Sequence, residues 1–339
     1  MATIKTRIMR ANGSGGYDQL LPETSIAQVT DLQQQLTNIN TNINAKQAQL
    51  TAGDNITISN NTIDTKVYPC NPNMLDNWYW ANPVNQRGKV VYSTSGFYSI
   101  DRWILGFQKS NGTVTVNDGC VTVTITNSNG GYVDIIQRFE KPLAQGTIIT
   151  LTALMSDGSI ITRTGGLGNM AALVTNQWRS GQPDHVAFRV TSGSVNIVAV
   201  KMELGDTQTL CHMGSNGKYV LNEVPNYQQQ LAQCQRYCFV TDSASVYKRA
   251  DIKLDNNQFQ FFLPCPVPMR ANPVVESANV SPSIVSFSSS TPPTAVAGFS
   301  FAYTACKNAT IRIQATKNNH GLADASILMA DVVFSCEVG

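Results

Sequence analysis

Charge is scarce in this chain. Asp, Glu, Lys and Arg make up only 14% of its 339 residues and the net charge is +2, where an ordinary soluble domain carries about 25% charged residues. There is no basic run to track a phosphate backbone and no acidic tail, so nucleic-acid binding is not expected. Histidine is scarcer still. The three residues, His185, His212 and His320, share no metal-ligand spacing. The eight cysteines include no Cys-x-x-Cys pair and are irregularly spaced, which predicts free, buried thiols rather than a zinc site or a disulfide framework. Gly165-Gly166-Leu167-Gly168 lacks the full dinucleotide-binding pattern and reads as a hairpin loop. No apolar run reaches the ~18 residues of a membrane span, and Met1 to Arg7 lack the apolar segment of a signal peptide. These absences predict no enzyme activity, no cofactor, no metal and no membrane insertion. The scattered acids leave a glycosidase pair as an open alternative.

What the chain has instead is a polar surface of Thr, Ser, Asn, Gln and Gly, and one short heptad stripe. Val29, Leu32, Leu36, Ile39, Ile43 and Leu50 recur at spacings of three and four, interrupted only by Lys46. This predicts a helix over Ile26 to Leu50 that buries one seam against copies of itself. About 25 residues at ~1.5 Å each make a stalk roughly 37 Å long. Thr24 or Ser25 can cap its start, with Gln28 placed as in a capping box. The flanking e and g positions, Gln28, Gln33, Gln35, Asn40, Asn42, Gln47 and Gln49, are all neutral. Leu36 with Ile39 leans away from dimers and Val29 with Leu32 toward them, so the seam leaves the oligomer number open. Thr and Asn weaken the helix, and a helix this short needs help from what flanks it.

Around the stalk the chain divides into five parts. Residues 1–24 are polar, with a Gly-rich turn, and read as an attachment segment. The stalk covers 25–52. Residues 53–66 alternate Ile56, Ile58 and Ile63 with polar residues about Asn60-Asn61, a small β-shaft element. Residues 67–210 hold period-two runs such as Cys120 to Thr126, Thr147 to Met155 and Val195 to Leu204, separated by Gly, Asn and Asp turns, with a further strand expected over Met170 to Val174. That pattern predicts a β-sandwich or jelly roll. Residues 211–339 begin with a linker over Cys211 to Leu221. A helix follows, placing Tyr227, Leu231, Cys234 and Cys238 on one face, and then the strands of a second, smaller β-sandwich, the last of them over Ile327 to Phe334. The fold class is mainly β.

Several stretches together resemble tail fibres of phages and prophages of Gram-positive bacteria. Tyr17 to Thr24 followed by a heptad stripe is similar to their N-terminal regions, and Gly53-Asp54-Asn55-Ile56-Thr57-Ile58 to their shaft elements. Asn73 to Trp80, Asn85-Gln86-Arg87-Gly88 and Ile100-Asp101-Arg102-Trp103 resemble the opening of a jelly-roll carbohydrate-binding-like module. Lys201 to Gly205 and Leu231 to Tyr237 resemble the boundary with a C-terminal tip domain. The resemblance implies a homotrimer in a virion, at a tail tip or baseplate. Residues 1–24 would join it to tail proteins, and the heads would recognise host surface carbohydrate. The missing signal segment fits assembly in the host cytoplasm. The short stalk departs from long fibres and fits a compact tip protein. Alternatives are a purely structural tail or baseplate component, an envelope depolymerase, and a bacterial adhesin.

Sugar recognition needs aromatic faces with amides and charged groups beside them. The candidates are Trp78, Trp80, Trp178, Arg179 and Asp184, together with Tyr79. Strand alternation would place Trp78 and Trp80 on one face and Tyr79 on the other. Trp103, in a run with Ile104 and Leu105, reads as core. Trp178, in a polar run, reads as exposed.

Overall fold

The period-two runs form antiparallel strands in the computed structural model. It describes residues 8–20, 30–48, 56–59, 62–65, 68, 70–126, 130–167, 177–182, 184–242, 247–276, 281–286 and 294–337. The chain divides into two compact units, Met1–Val67 and Tyr68–Gly339.

In the first unit, Ile8–Ala11 pairs with Tyr17–Leu20. The turn closes where the Gly16 amide donates to Asn12 Oδ1 at 2.8 Å, and Gly15 takes the left-handed φ of +81° that the turn requires. Helix α1 runs Thr30–Ala48, inside the expected span of Ile26 to Leu50. Val29 and Leu50 lie outside the described residues. Leu32, Leu36, Ile39 and Ile43 are 41–52% exposed. The Thr37 and Thr41 hydroxyls donate to the carbonyls of Gln33 and Thr37. This side-chain back-bonding satisfies the hydroxyls but adds nothing to the helix. The shaft element is a hairpin, Ile56–Ser59 with Thr62–Thr65; its Asn60-Asn61 turn lies outside the described residues.

The second unit holds two hydrophobic cores. The first lies between two antiparallel sheets. One has five strands in the order Gln177–Gln182, His185–Val190, Tyr132–Arg138, Ile104–Gln108, Phe97–Tyr98. The other has six, in the order Ile160–Gly166, Ile148–Met155, Ser194–Leu204, Cys120–Ile125, Gly112–Asn117, Val91–Tyr92. Both contribute alternate residues to one core, among them Leu105, Val121, Val123, Ile135, Leu151, Phe188 and Ile197, the packing of a β-sandwich. Strands over 104–108 and 112–117 were not expected. Gly112 is demanded by that packing, since a Cβ there would sit 2.2 Å from Val133 Cγ2. The expected strand over Met170 to Val174 lies outside the described residues.

Cys211 to Leu221 is not a bare linker. Cys211–Met213 pairs with Tyr219–Leu221, and Cys211 joins the first core. Helix α2, Tyr227–Gln235, starts at Asn226, whose side chain accepts from the Gln228 and Gln229 amides. Its buried residues are Gln230 and Cys234. Tyr227 is exposed, and Cys238 belongs to the next strand. Three small sheets then enclose the second core of Phe259, Phe261, Ile311, Ile313, Ile327 and Phe334. The run expected as one strand from Ile327 to Phe334 is split into Ser326–Leu328 and Val333–Ser335, with Asp331 between them at φ +54°.

No helix among the described residues is long and apolar enough to cross a membrane.

Candidate functional site

Asn77 organises the front of the sandwich. At φ +49°, a left-handed conformation that Asn tolerates better than most residues, it bends Asn73 to Trp80 out of strand geometry. Its amide donates to the Val84 and Asp101 carbonyls, both at 2.8 Å, and its side-chain oxygen accepts the Val84 amide. Its carbonyl accepts both indole N–H groups, from Trp80 at 2.9 Å and Trp103 at 3.0 Å, and the two rings meet edge to face. Trp80 is fully buried and Trp78 is 7% exposed. The expectation that Trp78 and Trp80 present ring faces to a sugar is therefore corrected: both belong to the core. Trp78 and Trp80 do share one face with Tyr79 on the other, since Tyr79 bridges Ala199 and the Val200 amide donates to the Trp78 carbonyl, but the face that carries the two tryptophans is the one turned into the core. Tyr79 is half-buried. Trp103 is core, as read.

Beside these tryptophans lies a buried ionic cluster. The Arg87 guanidinium holds both oxygens of Glu276 and meets Asp101 at 3.2 Å and Glu337 at 3.6 Å. Arg102 donates to Asp76 and to Glu337, each at 3.0 Å, and to the Arg138 carbonyl. Its backbone amide donates to Glu337 as well. Gln86 donates to Asp101 at 2.6 Å and to the Cys238 carbonyl at 2.8 Å. Arg102 sits at φ +72°, a conformation that costs a non-glycine residue roughly 1–2 kcal/mol and is held here by its ionic partners and by Tyr237, whose ring lies 3.7 Å below the guanidinium. Burial raises the Asp101 carboxyl to about 7, against the pull of Arg87 and Gln86, and burial likewise raises Glu337. The cluster ties the sandwich to the C-terminal sheets, since Glu276 and Glu337 come from the latter. The Trp78 amide adds to it by donating to Gln230 on α2 at 3.1 Å.

Next to the cluster a solvent-open crevice of about 270 Å³ separates the sandwich from the end of α2. Asp76, Arg102, Arg138, Glu140 and Lys141 line one side, and Gln233, Arg236 and Tyr237 the other; Met74, Phe139 and Leu143 supply apolar wall. Glu140 accepts from the Tyr237 hydroxyl at 3.1 Å and lies 3.7 and 3.6 Å from Arg236 and Arg270. Burial works against the Glu140 charge, but Tyr237 and the two guanidiniums outweigh it and hold this carboxyl below its usual range. Burial pushes the Tyr237 phenol up to about 12, so it stays a hydrogen-bond donor. Arg138 and Lys141 face no carboxylate within ion-pair distance among the described residues, and Arg138 Nε is buried without a hydrogen-bond partner. Four cationic side chains against two acidic ones make a polar, net-positive cleft with an apolar wall.

The remaining expected site residues lie elsewhere. Trp178 and Arg179 fall in the strand Gln177–Gln182, paired with Phe188 and Ala187. Asp184 is bonded to His185 Nδ1 at 2.9 Å. The crevice is lined by none of the expected binding residues. Its polar residues were visible in the sequence only as neighbours of other things: Asp76 and Arg102 beside tryptophans, Arg236-Tyr237 at the end of a helix. Nothing in local periodicity marks Arg138 or Lys141.

At the sandwich edge, Val90, Val91 and Phe97 form a separate apolar exposure beside a smaller cleft lined by Arg87, Tyr92 and Tyr98. Among the described residues no three His, Cys, Asp or Glu side chains gather as a metal-holding group. Comparison of the chain with protein-family models, with curated proteins and with solved structures finds no match.

Proposed function

We propose that this protein is a tail-fibre-type attachment protein. Its chains associate through α1, and its β-rich unit, a jelly-roll-like sandwich with a C-terminal tip, binds carbohydrate on a host cell surface. The observation that carries the reading is α1 itself, a helix of 19 residues whose Leu32, Leu36, Ile39 and Ile43 repeat at heptad spacing and remain exposed in the single chain. A lone helix has no use for such a stripe, whereas three copies would bury it. The β-hairpins on both sides of α1 are too small to be stable alone and would share a core in the same trimer. The sandwich crevice supplies the mix of charged, amide and apolar wall that sugar binding uses. In this reading the protein is a virion component at a tail tip or baseplate, anchored through residues 1–24, and is not an enzyme.

Light scattering of the full chain tests the association. A trimeric mass at micromolar concentration is expected, and a monomer refutes it. Binding to whole cells of candidate hosts, with soluble host glycan as competitor, tests the attachment. The exposed Val90, Val91 and Phe97 favour a second reading, a structural tail component whose heads pack on neighbouring proteins. It predicts no glycan competition.

A further inference from the structure

We infer that the crevice between the sandwich and α2 binds an acidic sugar, with Arg138 and Lys141 receiving its carboxylate or phosphate. The inference deepens the attachment reading and rests on it for the claim that the ligand is a sugar. The charge on the walls points to an anion. Arg102 is already satisfied by Asp76 and Glu337, and Arg236 shares Glu140 with Arg270. Arg138 and Lys141 make no ion pair among the described residues, although both line the cleft, and Asp184, near enough to feel the Arg138 charge, is itself bonded to His185. Arg138 Nε is buried and unbonded. A buried donor left unmet is unfavourable, and an oxyanion accepting from this side chain would remove that cost. Charge-assisted bonds of this kind are stronger than neutral ones.

The size and the walls point to a sugar unit rather than a bare ion. The crevice, about 270 Å³, is at the small end of ligand pockets, which run from about 300 Å³ upward, and so suits one ring with its acidic substituent. Phe139 offers an apolar surface to a ring face, and the Gln233 amide can serve hydroxyls. The opening on one side lets a polymer continue past the bound unit.

Calorimetric titration of the full-length protein at low salt, with D-glucuronate, glucose 6-phosphate, glucose and inorganic phosphate, tests the inference. One of the two acidic sugars should bind at least tenfold more tightly than glucose and than inorganic phosphate. Arg138→Gln should cost at least tenfold and Lys141→Gln about threefold, and added salt should weaken the binding. A preference for glucuronate assigns a carboxylate sugar, and one for glucose 6-phosphate a sugar phosphate. Equal affinity for glucose, equal affinity for inorganic phosphate, absence of binding, or indifference to both substitutions overturns the inference. Should Arg138→Gln fail to fold, Lys141→Gln, at an exposed position, carries the test. Whole-cell binding separates this site from the wider reading. Acidic-sugar binding without attachment to any host sustains the site and refutes the receptor role. Attachment that survives both substitutions unchanged refutes the site alone.

Discussion

Glu337 joins the two cores of the larger unit through Arg102 and Arg87. It stands 235 residues from Arg102 in sequence, yet accepts from both the Arg102 amide and guanidinium and lies 3.6 Å from Arg87. Its side chain is 1% exposed. Glu337→Ala removes a buried charge that two buried guanidiniums use. Breaking such a pair costs about 3–5 kcal/mol, and the lower end applies here because Arg102 keeps Asp76 and Arg87 keeps Asp101 and Glu276. The four tryptophans, Trp78, Trp80, Trp103 and Trp178, all precede residue 211, so their fluorescence reports the sandwich, whereas circular dichroism reports every strand. In the wild type the two urea transitions should coincide, as for one cooperative unit. In Glu337→Ala the dichroism should become biphasic, with the C-terminal sheets melting first. Taking ~3 kcal/mol and a urea slope of about 3 kcal/mol per M, the first midpoint should fall by roughly 1 M. Transitions that still coincide at an unshifted midpoint would refute the role assigned to this cluster.

Three further outcomes are expected. Leu36→Asp with Ile39→Asp places charges in the proposed seam, where each buried apolar side chain contributes about 1.5–3 kcal/mol. Light scattering should then show a lower mass than the wild type; unchanged mass here and on deletion of residues 1–52 would refute association through α1 and place it in the heads. Gly112→Ala drives a methyl into Val133 and to 2.8 Å from the Thr124 carbonyl, and should lower stability by about 1–3 kcal/mol, seen as a lower thermal midpoint. Asp101, raised by burial from 3.8 to about 7, holds a proton in the folded protein over a range where the unfolded chain has lost it. Its contribution is therefore most favourable below pH 4 and is lost as pH rises to 7, at about 1.4 kcal/mol per pH unit. The thermal midpoint of the wild type relative to Asp101→Asn should fall across that window, and a flat difference curve would contradict the assignment.

The β-class of the fold, the position of α1 and most strand positions were legible because they rest on local periodicity. Val121, Val123 and Ile125 alternate with Thr, and a strand turns every second side chain inward wherever it lies. The stripe of Leu32, Leu36, Ile39 and Ile43 marks a helix face in the same way. Asn226 and Gly15 carry their structural roles within a few residues. The candidate site was different. Trp78 and Trp80 look alike in sequence to a pair of ligand-facing aromatics, and only the left-handed turn at Asn77, with its carbonyl between two indoles, decides that Trp80 is buried. Arg102 meets Glu337, and Arg138 lines a cleft with Arg236, across separations that no periodicity encodes. Residue types and their spacing determined the elements. Which polar side chains were left unpaired in a cleft depended on long-range packing, because burial, unlike strand or helix period, is a property of what lies opposite.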